Sequence, residues 1–187
     1  MYKYGILLLA FCSFTFARRC ITENFELGFG EMSNTTDEFC SEKYMFNIEN
    51  YSAVNVQSPH PQSTRFATVN SNWTCMRSEG FWVSNGGVLE VTAFMNATSL
   101  TDHVWIEVRQ NFFGGCDFLV GLGALLPSRN PTWQTIRVTV EHDSSAVFRG
   151  YIVLWGRAAP QSLVMIDSFR YISRSTDEAD CLAYDNN

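Results

Sequence analysis

The strongest constraint on the fold is a succession of short alternating or apolar runs, separated by turn residues, along most of the chain. The run Trp133–Glu141, for example, alternates apolar and polar residues. Such alternation is typical of β-strands with one buried face, and we find no stretch of a dozen residues with helical periodicity. Chains of many short strands with Gly and Pro turns close into sandwiches or barrels. The sequence therefore predicts one all-β domain with two antiparallel sheets packed as a sandwich.

The turn signals divide the chain into its predicted strands. Asn85-Gly86-Gly87 favours a tight reversal, because Asn and Gly accept positive φ at low cost, and it predicts a hairpin between its flanking strands. Residues 41–62 are the least patterned part and are predicted to be a loop insertion, and residues 173–187 form a polar tail. The predicted strands are Asn24–Leu27, Thr64–Val69, Phe81–Ser84, Val88–Met95, His103–Gln110, Phe118–Gly121, Trp133–Glu141, Val147–Trp155 and Leu163–Ile172.

The N-terminus predicts secretion. Residues 1–17 have a short positive start at Lys3, an apolar core too short to span a bilayer, and a small residue at Ala17, so we predict a cleaved signal peptide. N-glycans are added only to chains that enter the secretory pathway. Four N-x-Ser/Thr sequons follow the leader, and although single sequons are common by chance, this set predicts at least one attached glycan. Their asparagines are Asn34, Asn50, Asn72 and Asn96.

Composition excludes several partners. Removal of residues 1–17 from the 187-residue chain leaves 170 residues, which suits a single domain. The formal net charge of −6 becomes −7, because the leader carries one lysine and no acid. A mildly acidic domain without a basic cluster is a poor candidate for binding nucleic acid or an anionic membrane. No later apolar run is long enough to span a bilayer, so we expect a released extracellular protein.

Five cysteines follow the leader. Their spacing contains no C-x-x-C pair and fits no metal-binding pattern, whereas an oxidising compartment favours disulfides. Two disulfides and one unpaired thiol are therefore expected. The unpaired thiol is either buried and inert or links two chains, and we favour the buried alternative. The cysteines are Cys20, Cys40, Cys75, Cys116 and Cys181.

Several motifs resemble a MAM domain, the extracellular module of meprins, neuropilins and receptor tyrosine phosphatases. A cysteine followed by an Asn-Phe-Glu triplet resembles the opening of the family. The later motifs follow in the family's order, with a Trp opening one strand and an Ile-Asp motif in the last. The matching segments are Cys20 with Asn24–Glu26, Pro131–Val140, Ala146–Tyr151 and Leu163–Phe169.

The resemblance implies a jelly-roll β-sandwich that binds partners, mediates adhesion or oligomerisation, and has no catalytic activity of its own. It also implies a disulfide between Cys20 and Cys40. The alternative is a disulfide between Cys20 and Cys181, since the first and last strands of such jelly rolls are neighbours.

Two acids are predicted to share a structural cation. Glu26 and Asp167 come close together if the first and last strands pair, and related jelly rolls hold Ca²⁺ near such acids, with backbone carbonyls completing the oxygen shell. The alternative is that each acid caps a strand end or faces solvent.

One strand face has the composition of a sugar-binding patch. Sugars stack their C–H faces on aromatic rings while polar side chains bind their hydroxyls, so an aromatic ring beside charged groups is a candidate ligand site. The alternative is that the Trp of this strand is covered by the sandwich. Trp82, Trp133 and Trp155 are predicted to lie in the core. The candidate ligand residues are His103, Trp105, Glu107 and Arg109.

Catalytic motifs are not found in the sequence. The three histidines have unrelated contexts, and there is neither a zinc helix nor a nucleophile elbow. We therefore predict a secreted, non-catalytic glycoprotein that binds an extracellular protein or a second copy of itself. The alternatives are a carbohydrate-binding jelly roll that uses the His103–Arg109 face, and a structural matrix component cross-linked through the odd cysteine into a disulfide-linked dimer.

Overall fold

The computed structural model describes residues 20–33, 40–41, 43–69, 73–111, 117–143 and 147–184. The predicted leader and the residues Asn34, Asn72 and Cys116 lie outside these ranges. Within them, no helix is long and apolar enough to cross a membrane. The described strands are β1 (Ile21–Glu23), β2 (Met32–Ser33), β3 (Asn47–Asn50), β4 (Arg65–Thr68), β5 (Thr74–Ser78), β6 (Phe81–Ser84), β7 (Val88–Asn96), β8 (His103–Gln110), β9 (Phe118–Leu125), β10 (Gln134–Thr139), β11 (Val147–Arg157) and β12 (Leu163–Ile172), with 3-10 turns at Tyr51–Ala53 and Glu178–Asp180.

The strands form two antiparallel sheets. Sheet A has the order β10-β7-β12-β4-β3, and β1 lies beside β12. Sheet B has the order β2-β5-β11-β8-β9, and β6 lies beside β11. Apolar side chains from both sheets meet in one large core. The predicted all-β sandwich is therefore confirmed.

The core is built by strand alternation. On β8, Val104, Ile106 and Val108 are fully buried between the sheets, as the alternation predicts, while the residues between them face outwards. Ile152 and Leu154 do the same on β11. Because successive side chains of a strand point to opposite faces, each central strand also presents a row of residues on the outside of the sandwich.

The Asn-Gly-Gly turn connects the two sheets instead of forming a hairpin. Gly86 adopts a φ of +76°, and the Gly87 N–H donates to the Ser84 carbonyl at 2.9 Å, so the reversal itself is as predicted. However, β6 pairs with β11 in sheet B, whereas β7 pairs with β10 and β12 in sheet A. The predicted hairpin is wrong, because Val83 and Leu89 on the two flanks enter the same core from opposite sheets.

A disulfide joins the two ends of the described chain. β1 pairs with the last strand, β12, and Cys20 bonds Cys181 with a Cα–Cα distance of 5.5 Å. The second disulfide joins Cys40 to Cys75, with a Cα–Cα distance of 5.3 Å. The Cys20–Cys181 alternative is confirmed, and the Cys20–Cys40 pairing implied by the resemblance is wrong, since Cys40 is fixed to β5 in the other sheet.

The opening strand ends earlier than predicted. Residues Asn24–Leu27 form a turn, because the Glu23 carboxylate accepts the N–H groups of Asn24 at 3.0 Å and Phe25 at 2.8 Å. Phe25 has a φ of 60° and is completely buried. The chain thus bends sharply to place one aromatic ring in the core.

The segments predicted as loop and tail both contribute to the outside of sheet A. Residues 41–62 contain β3, which forms an edge of the sheet, and Val54 and Val56 pack against a small cluster around Phe66. In the tail, the 3-10 turn Glu178–Asp180 leads into Cys181. Strands β2, β3 and β5 were not predicted; β2 and β3 are only two and four residues long.

Candidate functional site

The outer face of sheet B brings the four candidate ligand residues of β8 onto one surface. Across the sheet, Trp105 lies opposite Trp155 of β11, and Arg109 lies opposite Tyr151. The next residue of the row, Glu107, is opposite Val153 of the same strand. The candidate residues therefore border a largely apolar row on β11, formed by Tyr151, Val153 and Trp155.

This outer face carries a small second core. Cys40, Cys75, Tyr151 and Val153 are almost completely buried and pack together, with Trp155 partly buried against them. Apolar side chains on the outside of a sandwich need a cover to leave water. Here the disulfide holds the chain around Cys40 over β5 and β11, which makes this face rigid.

Glu107 and Arg109 are occupied by contacts within the protein. The Glu107 carboxylate accepts the Trp155 indole N–H at 3.0 Å and the Arg109 Nε–H at 2.5 Å. Glu107 is 5% exposed. The burial of Glu107 commits its carboxylate to these two contacts, and the ligand contacts predicted for Glu107 and Arg109 stay a prediction. The pair also fixes the orientation of Trp155.

An aromatic row crosses the open end of the same face. Trp73 contacts His103 edge-on at a centroid distance of 5.2 Å and Trp155 at 5.9 Å, and His103 contacts Trp105 at 6.0 Å. The His103 Nδ1 lies 2.7 Å from the Thr101 carbonyl, so Nδ1 donates and Nε2 is left as an acceptor. Among the described residues this buried Nε2 has no hydrogen-bond partner.

A cavity lies beside this aromatic row. It has a volume of about 290 Å³ and is lined by Ser41, Lys43, Trp73 and Trp155. Trp73 is 43% exposed, and the Lys43 ammonium lies 5.7 Å from the centroid of the Trp155 ring. Exposed indole surface beside a cation is suited to contact either a protein side chain or a sugar ring.

Tyr151 is held at the other end of the face. The Arg77 guanidinium stacks 3.6 Å from its ring centroid, and its hydroxyl donates to Asp117. Burial and this hydrogen bond raise the pKa of Tyr151 well above its ordinary range, although Arg77 and Arg109 act in the opposite direction. The phenol thus stays protonated and serves as a fixed donor.

Sheet A holds a second polar centre around Asp167, a residue that is only 1% exposed. Its Oδ1 accepts the hydroxyls of Tyr51 at 2.8 Å and Ser63 at 2.5 Å. Its Oδ2 accepts the hydroxyls of Tyr184 at 2.9 Å and Ser168 at 3.0 Å. Burial, reinforced by the Asp167 charge, raises the pKa of both Tyr51 and Tyr184 far above their ordinary range.

Glu26 reaches the same part of the molecule. Its carboxylate accepts the N–H groups of Thr64 at 2.8 Å and Arg65 at 3.0 Å, together with the Thr64 hydroxyl. Because Ser63, which bonds Asp167, and Thr64, which bonds Glu26, are consecutive, the two acids contact the same short segment.

The donor chemistry around these two acids is partly suited to calcium. The two carboxylates and the hydroxyls around Asp167 offer oxygen atoms, which Ca²⁺ prefers. However, hydroxyl and amide donors already occupy the carboxylate oxygens, and the described residues contain no group of three or more His, Cys, Asp or Glu side chains that could hold a metal. A cation at Glu26 and Asp167 would have to displace hydrogen bonds, and the calcium site stays a prediction.

Two of the four sequons are described, and both asparagines are exposed. Asn50 ends β3 and Asn96 ends β7. Both positions give an attached glycan access to solvent, and their use stays a prediction.

The predicted core tryptophans differ in burial. Trp133 and Trp155 are partly buried, whereas Trp82 is 49% exposed, so its core prediction is wrong. On β6, Phe81 and Val83 face the core and Trp82 therefore faces outwards, where Arg149 lies 5.6 Å from its ring centroid.

Trp73 and the four hydroxyl partners of Asp167 were not predicted as site residues. For Trp73, the position two residues before Cys75 was an available signal, since neighbours of a disulfide are held in place.

Comparisons with known proteins support the fold. No protein-family model matches the chain, and no curated protein matches it in sequence. The cleaved adhesin domain of Lys-gingipain from Porphyromonas gingivalis W83 is 12% identical, with a TM-score of 0.57 over 84% of this chain and 99% of the adhesin domain. A family 16 carbohydrate binding module is 13% identical, with a TM-score of 0.45 over 70% of this chain and 86% of that module. A β-1,3-glucan binding module of family 6 from Bacillus halodurans is 14% identical, with a TM-score of 0.35 over 70% of this chain and 98% of that module.

These likenesses differ in what they support. The adhesin domain shows a shared β-sandwich fold and nothing about ligands, and the TM-scores of the two carbohydrate binding modules are too low for an inference. The chain is thus similar in fold to an adhesin domain, and membership of the MAM family is not shown.

Proposed function

We propose that this protein is a secreted, non-catalytic binding module of MAM-like type, and that it binds an extracellular protein or a second copy of itself through the outer face of sheet B. The observation that carries the proposal is the exposed Trp73 beside Trp155 on a face made rigid by a disulfide and a second core. Exposed Trp residues on rigid surfaces are typical of the residues that dominate protein interfaces.

Apolar residues on the neighbouring edge strand extend this surface. Leu119 and Leu122 of β9 are 46% and 52% exposed, and they lie directly opposite Arg109 and Glu107. A contiguous exposed apolar patch is a common sign of a protein-binding site. The patch and the aromatic row together give a surface that mixes apolar contact with a basic side chain at Lys43.

The proposed location rests on covalent features. Two disulfides among the described residues are typical of an oxidising compartment, and the exposed sequons at Asn50 and Asn96 would be accessible to the glycosylation machinery. The signal peptide that we propose at residues 1–17 would direct the chain into the secretory pathway.

A paired substitution tests the proposed surface. We expect Trp73→Ala to weaken binding at least roughly tenfold, as expected for a central interface residue, whereas Trp82→Ala should leave it nearly unchanged. Trp82 is a matched control because it is similarly exposed on the same sheet but lies at the far end of the face, opposite Arg149 of β11, whereas Trp73 lies near Trp155. Sedimentation of the purified protein measures self-association, and cross-linking with mass spectrometry in its native extracellular fluid identifies another partner. Equal binding by both variants would contradict the assignment of this surface.

A carbohydrate is the second candidate ligand of this face. The cavity beside Trp73 and Trp155 offers an indole surface for stacking, and Lys43 and Ser41 line the same cavity and carry groups that can hydrogen-bond to hydroxyls. A glycan array with the wild-type protein and Trp73→Ala distinguishes this candidate: binding to an array glycan that is lost in the variant favours a lectin.

The structural-component alternative concerns Cys116, which lies outside the described residues. A disulfide-linked dimer on a non-reducing gel that is lost in Cys116→Ser would favour it over a monomeric binding module.

A further inference from the structure

The outer face of sheet A carries a groove that the proposed function does not use. Its floor consists of two rows of side chains across the adjacent strands β10, β7 and β12. In the first row, Thr135 lies opposite Thr92, and Thr92 lies opposite Ser168. This row of three hydroxyls is called the hydroxyl row below.

A charged row lies two residues along, on the same face, because side chains two positions apart on a strand share a side of the sheet. The Glu90 carboxylate accepts a hydrogen bond from Arg137 at 2.5 Å and another from Arg170 at 2.7 Å. Arg137 also bonds Glu178 at 2.7 Å, and Arg170 donates to the Cys181 carbonyl at 2.8 Å.

The charges of this second row are thus used within the protein. The two arginines hold the C-terminal segment against the sheet through these hydrogen bonds. Little unpaired charge is therefore left in the groove. The hydroxyl row has free hydrogen-bonding capacity by contrast. Within the described part of the chain, the side chains of Thr92, Thr135 and the neighbouring Gln134 make no hydrogen bond, and Ser168 uses its hydroxyl as a donor to Asp167 while its lone pairs remain.

Aromatic rings form the walls of the groove. Trp133 is fixed by a hydrogen bond of 2.8 Å from its indole N–H to the Gln57 carbonyl. On the other side, His60 stacks on Tyr184 with a centroid distance of 4.3 Å and an interplanar angle of 9°. Trp133 directly precedes β10, whereas His60 lies in the predicted loop insertion and Tyr184 in the predicted tail. Together with the floor they enclose a cavity of about 370 Å³.

This combination of groups selects a class of ligand. The neutral hydroxyl groups of the floor can both donate to and accept from a polyhydroxylated molecule, while the aromatic walls suit its C–H faces. The volume lies at the lower end of the range for small-molecule sites. An anion would meet the buried charge of Asp167, and a purely apolar ligand would leave the hydroxyl row unpaired.

We propose that this groove is a second binding site, distinct from the face of sheet B, and that it takes a neutral saccharide of one or two rings on the hydroxyl row between Trp133 and Tyr184. The site goes beyond the proposed function, because it lies on the opposite side of the sandwich.

The test is an NMR titration of isotope-labelled protein, after removal of N-glycans, with glucose, galactose, mannose and N-acetylglucosamine as separate neutral probes. Glucuronate is the anionic probe. We expect saturable shifts at the amides of Gln134 and Thr135 with at least one neutral probe. Thr135→Val should weaken that binding roughly three- to tenfold, because it removes one hydrogen bond and keeps the side-chain shape.

Thr139→Val is the matched control. Thr139 lies on the same strand and the same face as Thr135, is equally exposed, and borders a different cavity. We expect it to bind like the wild-type protein, as should Trp73→Ala on sheet B. The proposal is overturned if no neutral probe gives saturable shifts, if glucuronate binds better than the neutral sugars, or if the two Thr variants bind equally. Loss of partner binding in Trp73→Ala with sugar binding intact separates the fate of this site from that of sheet B.

Discussion

The outer faces of the two sheets are stabilised by different interactions. Each must stabilise a surface that lies outside the main core. Sheet B does so with apolar residues, a second small core and the Cys40–Cys75 disulfide. Sheet A does so with hydrogen bonds among polar side chains on its outer face. Residues 41–62 and the C-terminal tail are attached to this polar face. An apolar outer face is stable once it is covered, whereas a polar one can be satisfied internally and still leave an open groove.

A buried carboxylate on each face makes the difference concrete. Glu107 on sheet B is held by Arg109 and an indole N–H, which can only donate. Asp167 on sheet A is held by four hydroxyls, such as that of Tyr51, and hydroxyls can donate or accept. The first arrangement demands a carboxylate, and the second can adapt to another polar group.

Removal of the disulfides should give the largest effect and compares the two faces directly. In the chain-entropy description, the Cys20–Cys181 bridge, which closes a separation of 161 residues, contributes about 5 kcal/mol, and the Cys40–Cys75 bridge, which closes 35, contributes about 4 kcal/mol. We therefore expect the Cys20→Ser/Cys181→Ser variant to lose about 1 kcal/mol more in urea unfolding. A larger loss of unfolding free energy in the Cys40→Ser/Cys75→Ser variant would contradict this order. It would mean that packing of the second core contributes more to stability than chain entropy does.

Neutralisation of the two carboxylates should give the next largest effect. Glu107→Gln leaves one donor-only partner facing an amide N–H, and we expect it to lower the free energy of unfolding by about 3 kcal/mol. Asp167→Asn should cost only about 1 kcal/mol, because the hydroxyls can reorient to accept from the new amide. Urea unfolding of both variants at neutral pH measures the difference. Equal losses would show that the hydroxyl network is as rigid as the ion pair.

Calcium should act on sheet A alone. A cation that binds only the folded state at Glu26 and Asp167 should raise the melting temperature by about 2–4 °C at a calcium concentration a few times its Kd. Thermal melts in millimolar calcium and in EDTA check this, with Asp167→Asn as the control that should not respond. Identical melting temperatures of the wild-type protein in the two buffers would contradict the predicted calcium site.

Alkaline pH should give no effect near neutrality and a graded one above the ordinary pKa of tyrosine. Burial raises the pKa of Tyr51, Tyr151 and Tyr184 in the folded state. The unfolded phenols lose their protons near pH ~10 and the folded ones at higher pH, so the stability that they contribute is present below about pH 10 and is lost as the pH rises above it.

The two faces should contribute equally to this loss in the measured range. Burial raises the folded-state pKa of both Tyr51 and Tyr151 above that range, so both phenols stay protonated in the folded state while their unfolded counterparts ionise. We therefore expect Tyr51→Phe and Tyr151→Phe to flatten the alkaline decline to the same extent. Urea unfolding between about pH 8 and pH 11 measures the slopes. A flattening by only one of the two variants would show that the other phenol ionises in the folded state.

The sequence predicts the strands well because their alternation is a local signal. Most predicted strands coincide with observed ones. For example, His103–Gln110 is β8 and Leu163–Ile172 is β12. Which strands pair is harder to predict from the sequence. The Asn-Gly-Gly turn indicates that the chain reverses, but it does not indicate whether the two flanking strands join the same sheet. The turn after Glu23 depends on a side chain that bonds the backbone, and strand periodicity does not report it.

The candidate sites show the same limit. Alternation correctly places the four β8 residues on one face, but the burial of Glu107 depends on Trp155, 48 residues away. The partners of Asp167 are more scattered still, with Tyr51 separated from it by 116 residues and Tyr184 by 17. Such clusters are assembled by the fold, and a single sequence carries no local sign of them.

The bridge between Cys20 and Cys181 has a mechanical consequence. These residues sit beside the first and last strands, so a tensile load applied across them is carried by the covalent bond and does not stretch the sandwich. Under reducing conditions the same load would fall on the hydrogen bonds between β1 and β12, which would open one rung after another from the end. In force spectroscopy, the oxidised molecule should therefore behave as a short inextensible link, and the reduced one should lengthen as its ends are peeled apart.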